Sequence, residues 1–150
     1  GGHYVLELIV FTDASYKRDK EEGVSAAYAY SYQLRDTYKN LSELTKEDKK
    51  ITKKGGISNE KCVVKVELQA VKETLKAIKN SAGLIAERIL IHTDSKILIQ
   101  SQEIDNELIE LMDFYKNKKI KVEFFKVKAH TDNVMNERVD RYAKYIRKNK

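Results

Sequence analysis

Four carboxylates and one histidine stand where a folded sheet could bring them together. Asp13 closes the apolar run Leu8-Ile9-Val10-Phe11-Thr12, and Asp94 closes Ile89-Leu90-Ile91-His92-Thr93. Glu67 lies in the helical stretch Val66-Glu67-Leu68-Gln69-Ala70, and Asp140 ends Asn136-Glu137-Arg138-Val139-Asp140. Any one of them alone reads as a helix cap or a solvated side chain. Gathered, they raise one another's pKa unless a cation neutralises them. Such an oxygen set suits Mg²⁺ or Mn²⁺, and Mg²⁺ commonly shares the phosphate oxygens of a substrate. Two such ions roughly 4 Å apart can activate a water and stabilise a leaving alkoxide. The chemistry expected is metal-assisted phosphodiester hydrolysis, with Asp13, Glu67, Asp94 and Asp140 as catalytic metal ligands and two ions per site. His130 follows Lys126 and Lys128 just before the last helix. An imidazole there can pass a proton or help release a product phosphate. Mg²⁺ prefers oxygen, so His130 is expected to assist turnover and not to bind the ion. Asn136 lies four residues before Asp140, on the same helical face, where it can orient it.

The elements that must position these groups follow from hydrophobic spacing. His3 to Phe11 is expected to be a buried strand ending at Thr12-Asp13, and Gly23 to Leu34 a second strand of alternating small and aromatic residues. Residues 35–50 are polar and are treated as an insertion between strands two and three. Lys50 to Ser58 reads as an edge strand interrupted by Gly55-Gly56. Asn59 to Asn80 is the clearest helix, with Val64, Leu68, Val71, Leu75 and Ile78 along one stripe. A strand over Arg88 to His92, helices over Ser95 to Gln102 and Ile104 to Asn117, a strand over Lys119 to Val127 and a helix over Asn133 to Lys150 complete the order β-β-β-α-β-α-α-β-α. A meander followed by strand-helix alternation predicts a mixed α/β sheet flanked by helices. Sites in such sheets form beyond strand ends.

The 150 residues suit a single domain. A hydrophobic share of 41% and a charged share of 35% exclude a disordered chain. A net charge of +6 and a pI near 9.2 favour an anionic partner. The single cysteine, Cys62, excludes an internal disulfide framework and fits a reducing, cytoplasmic setting; a small buried or capping role is expected for it. No apolar run reaches the ~20 residues of a membrane span, so no membrane partner is expected. Gly1-Gly2-His3 reads as a tag remnant, which leaves room for a larger parent protein.

The motifs together resemble a type I ribonuclease H. The quoted residues are Asp13-Ala14-Ser15, Glu67-Leu68-Gln69-Ala70, Thr93-Asp94-Ser95, Lys128-Ala129-His130 and Asn136-Glu137-Arg138-Val139-Asp140, in family order over nearly the whole chain. The resemblance implies the ribonuclease H-like fold, a five-stranded mixed sheet with strand two antiparallel, flanked by helices. It also implies endonucleolytic cleavage of RNA in RNA/DNA hybrids, leaving 3′-hydroxyl and 5′-phosphate ends. By the same resemblance, His130 takes the place of the mobile-loop histidine. Substrate contacts are expected from Ser15, Asn59, Ser95, Lys96, Lys126, Lys128, Asn136 and Arg138, and from the C-terminal Arg147 and Lys148. A monomer is expected, or one domain of a larger protein.

The chain departs from the family pattern at several points. Tyr16 to Glu22 replaces a glycine-rich turn with charged residues. Val63 and Val64 stand where asparagines often precede the glutamate, and Lys96 follows Thr-Asp-Ser where glutamine is common. Asn59 could substitute for those asparagines if the helix began a turn early. A basic protrusion between Asp94 and His130 is missing. Contacts to the 2′-hydroxyl decide selectivity for RNA, whereas phosphate contacts give affinity without it. Two alternatives therefore stand beside the hybrid nuclease: a nuclease of the same fold acting on another substrate such as double-stranded RNA, and a non-catalytic nucleic-acid-binding domain.

Overall fold

The computed structural model describes residues 6–35, 51–81, 86–127 and 134–149. In chain order the elements are β1 (Glu7–Asp19), β2 (Gly23–Arg35), β3 (Thr52–Ser58), α1 (Val63–Lys79), β4 (Arg88–Thr93), α2 (Lys96–Gln100), α3 (Asn106–Asn117), β5 (Lys121–Lys126) and α4 (Val134–Lys148). The expected order of strands and helices is the one found. The strands form one five-stranded sheet in the order β3-β2-β1-β4-β5. β2 runs antiparallel to both β1 and β3, while β4 lies parallel to β1 and to β5. Among the described residues, no helix is long and apolar enough to cross a membrane.

Alternation along β1 divides the core in two. Leu8 and Val10 join Tyr30, Tyr32, Ile89 and Ile91 on one face, which Leu68, Val71 and Leu75 of α1 and Leu108, Leu111 and Tyr115 of α3 cover. Ile9 and Phe11 face the other way and meet Val139 and Ala143 of α4. Burying a Leu, Val or Phe side chain stabilises by about 1.5–3 kcal/mol, so two-sided coverage makes β1 the best-held strand. Its amino end is also tied by charge. Buried Glu7 pairs with Arg35 at 3.4 Å and Arg88 at 3.2 Å, and Arg88 reaches Glu123 at 3.0 Å. That ladder crosses β2, β1, β4 and β5 and fixes their register.

The structure corrects several expectations. β1 does not stop at Thr12-Asp13 but continues to Asp19, paired with β2 as far as Asp19↔Gly23. The charged stretch from Tyr16 is therefore mostly strand, and only residues 20–22 form the turn. Gly55-Gly56 does not interrupt β3. A Cβ on Gly55 would collide with the carbonyl oxygen of Tyr28 and lie 2.7 Å from Cδ1 of Ile146, so the missing side chain is what lets α4 approach. On the opposite face, the Tyr28 ring covers Gly56. α1 begins at Val63, so Asn59 lies in the connection before it and no extra turn forms. Cys62 occupies the N-cap position but is exposed, and its side chain makes no capping bond. α3 begins at Asn106 and not at Ile104, which precedes the helix and is exposed. The start of the first strand before Leu6 and the insertion over 36–50 lie outside the described residues.

Gly55→Ala tests the close approach of α4. Overpacking of this kind costs about 1–3 kcal/mol. The urea midpoint should fall with an unchanged denaturant slope. An unchanged midpoint would mean that α4 can move aside freely.

Candidate active site

The site forms where β4 ends and β1 does not. The parallel pairing of β1 with β4 stops at Phe11↔His92, while Asp13 two residues on is still paired with Ala29 of β2. Asp13 shares the face of Ile9 and Phe11, and so points to the α4 side. Its Oδ1 accepts a hydrogen bond from the Ala14 amide at 2.8 Å. Its carboxyl also hydrogen-bonds that of Asp140 and feels the charge of Asp94. Burial, together with those two neighbours and against the pull of the amide, pushes Asp13 from its ordinary 3.8 up to about 8.

The other acids join through pairwise contacts. Burial raises the Asp94 pKa, a nearby amide opposes the rise, and Asp140 adds to it. Burial also raises Glu67, with Asp94 adding repulsion and the Ser95 hydroxyl stabilising the carboxylate. Ser95 acts twice: its Oγ also accepts from the Leu98 amide at 3.4 Å and caps α2. Asp140 is held from the solvent side by Lys144, whose Nζ donates to Oδ2 at 3.1 Å.

Two successive residues of β1 fasten the helices that carry the outer acids. Ser15, on the α4 face, accepts a hydrogen bond from Nε of Arg147 at 2.7 Å. Tyr16, on the opposite face, donates from its hydroxyl to the carbonyl of Lys61 at 2.9 Å, just before α1. Ser58 of β3 adds a bond from Oγ to Oε1 of Gln69, two residues past Glu67. Sequence reasoning missed these fasteners. A contact spanning 45 residues, such as Tyr16 to Lys61, leaves no local pattern to find. Lys144 did leave one, because it follows Asp140 by four residues.

The expected substrate-contacting residues divide into three groups. Ser15 and Ser95 are buried beside the acids and act as fasteners within the protein. Asn59 and Lys96 are exposed on the approach to Glu67, and Asn136 and Arg138 are partly buried on α4. Lys128 and His130 lie outside the described residues.

Asp13, Asp94 and Asp140 act on one another pairwise, and Glu67 joins them through Asp94. Among the described residues, no three His, Cys, Asp or Glu side chains form a ready-made ion cage. The donors nevertheless fit a hard divalent ion. They are all carboxylate oxygens, and the central one is led by burial, and further by its acidic neighbours, to keep a proton that a cation would replace.

A family model described as RNase H matches residues 6–147. The chain belongs to the RNase H family. No curated protein matches it. Among solved structures, the foamy viral protease-reverse transcriptase in complex with dsDNA is similar at a TM-score of 0.63 and 14% identity, over 93% of each chain. LC9-RNase H1, a type 1 RNase H with the type 2 active-site motif, is similar at 0.63 and 15% identity, over 96% of this chain and 73% of that one. The native Prototype Foamy Virus protease-reverse transcriptase gives 0.65 and 15%, but the match spans only 21% of that chain. At these identities the likeness shows the fold. The RNase H family and fold support a nuclease.

The raised Asp13 pKa fixes a pH dependence. Between the ordinary 3.8 and about 8, the folded RNase H chain keeps a proton that the unfolded chain has released. Stability of the metal-free protein should therefore fall as pH rises through that window. Asp13→Asn removes the term. It should stabilise the metal-free protein by on the order of 2 kcal/mol at pH 8 and by almost nothing near pH 4. Equal thermal midpoints for the two proteins at pH 8 would contradict a crowded, buried Asp13.

Proposed function

We propose that this chain is a metal-dependent endoribonuclease that hydrolyses the RNA strand of RNA/DNA hybrids to 3′-hydroxyl and 5′-phosphate ends. The observation that carries the reading is the crowding of Asp13 against Asp94 and Asp140 at the end of β4, in a chain of the RNase H family. Binding alone gains nothing from buried repulsion between carboxylates, which disfavours the non-catalytic alternative. Asp13, Glu67, Asp94 and Asp140 would hold Mg²⁺ or Mn²⁺, two ions per site. Bound there, the ions supply charge neutralisation at the phosphate and lower the pKa of water. The Ser95 hydroxyl favours the ionised form of Glu67 against the rise that burial and Asp94 impose, while Ser15 and Tyr16 hold α4 and α1 at fixed positions on β1. His130 is assigned proton transfer or product release. A duplex partner agrees with the dsDNA complex of the foamy viral relative. The protein acts as a monomer or as one domain of a larger chain.

One departure motivates a second reading. Val63, at the start of α1, is 44% exposed beside the site and offers no hydrogen bond to a 2′-hydroxyl. Double-stranded RNA as substrate is the second reading.

Matched RNA/DNA, RNA/RNA and DNA/DNA duplexes, each with Mg²⁺ or Mn²⁺, separate the two. The hybrid should be cut and the other two spared. Asp94→Asn should abolish cleavage without unfolding the chain, and His130→Ala should slow multiple turnover by about 10²-fold or more. Cleavage of RNA/RNA in preference to the hybrid would install the second reading, and no cleavage of any duplex would overturn both.

A further inference from the structure

Beyond Asp13 the site continues as a second cleft. β1 and β2 run on as a two-stranded ribbon past the end of β4, and the carboxyl end of α4 lies against it. Between them is a cleft of about 210 Å³. Lys17 and Ser25, directly paired across the ribbon, form one wall, and Arg147 and Lys148 form the other. Asp19 and Glu22 lie on the rim at the hairpin turn. The Asp19 carboxylate accepts hydrogen bonds from the amides of Glu21 and Glu22, at 2.7 and 3.3 Å, and also feels the charge of Lys17, though the turn amides act on it more strongly. Arg147 is oriented through Nε on Ser15, which leaves the two terminal nitrogens of its fork outside that bond.

We propose that this cleft is a phosphodiester-binding subsite, which seats the substrate backbone some steps away from the reacting phosphate. The inference rests on the nuclease reading above and adds a place and a distance to it. Lys17 shares a face of β1 with Asp13 and lies four residues on, about 13 Å at strand rise. Arg147 lies seven residues beyond Asp140 on α4, about 10 Å at helix rise. Two independent elements thus carry their cations about 10–13 Å from the acids. At ~3.4 Å of duplex axis per step, this is three to four nucleotides from the cut. A guanidinium fork and two ammonium groups beside a hydroxyl suit a phosphate anion. Phosphate contacts at this remove position a strand without reading its sequence.

The test uses the Lys17→Ala, Lys148→Ala double variant, since both side chains are exposed and neither touches the acids. Binding of a hybrid is measured in an Asp94→Asn background, and kcat and KM in the otherwise unaltered enzyme. A second hybrid carries uncharged methylphosphonate linkages three and four steps to either side of the cut. The double variant should bind the ordinary hybrid about threefold to tenfold more weakly, with a slope of log affinity against log salt shallower by up to about two. KM should rise and kcat at saturation should stay unchanged. Uncharged linkages on one side should weaken the unaltered protein by a similar factor and weaken the double variant, which keeps Arg147, much less. Arg147→Lys, which keeps the charge, should bind better than Arg147→Gln. Full binding by the double variant, or losses that simply add to those of the uncharged linkages, would overturn the subsite. An enzyme that binds the hybrid with these signatures but never cuts it would overturn the nuclease reading and leave the subsite standing.

Discussion

Repulsion between carboxylates in a poorly hydrated site is the constraint that the rest of this fold must hold in check. Burial, with Asp94 and Asp140 close by, lets Asp13 keep its proton to about pH 8. At neutral pH such a shift costs a few kcal/mol, comparable to burying one or two large apolar side chains. The packing around it is of that size. Phe11 and Ile9 lead into Asp13 along one face of β1 and are almost completely buried against Val139 and Ala143 of α4, the helix that carries Asp140. The apolar contact and the carboxylate contact share one strand–helix interface, so the first holds the second together.

β1 serves as the common reference for both sides of the site because its side chains alternate. Asp13 and Ser15 face α4, while Tyr16 reaches back toward α1. The bonds from Arg147 to Ser15 and from Tyr16 to Lys61 therefore fasten two helices on opposite faces to adjacent residues of one strand. Gly55 contributes from further away, since a side chain there would lift Ile146, and α4 with it, off the sheet. None of these residues contacts a reacting group, yet each limits how far the acids can spread.

How legible each part was in the sequence follows from how local its cause is. Asp13 and Asp94 were readable because apolar runs lead into both, and the buried stripe of α1 because its spacing is helical. The extension of β1 to Asp19 was not readable. Tyr16-Lys17-Arg18-Asp19 lies in a ribbon outside the main sheet, so no burial imposes apolar alternation on it. Gly55-Gly56 looked like an interruption because glycine weakens a strand in general; its purpose here depends on Ile146 and Tyr28, which are remote in sequence. The convergence of Asp140 on Asp13 likewise depends on the docking of α4, which no spacing within the helix can fix.

The same strand explains how an acidic centre sits within a basic chain. Acids occupy the positions nearest the end of β4, where Asp13, Glu67 and Asp140 are partly buried, and the cations Lys17 and Lys148 occupy exposed positions beyond. Lys144 marks the border. Its pair with Asp140 is exposed on both partners, with relative side-chain areas of 55% and 42%. A helix-surface pair of this kind contributes about 0.3–0.5 kcal/mol and weakens with salt. That is too little to offset the repulsion around Asp13, which is met by a retained proton instead. A single positive charge at the rim leaves the inner carboxylates uncompensated, and a multiply charged ion among them would displace both the proton and the lysine.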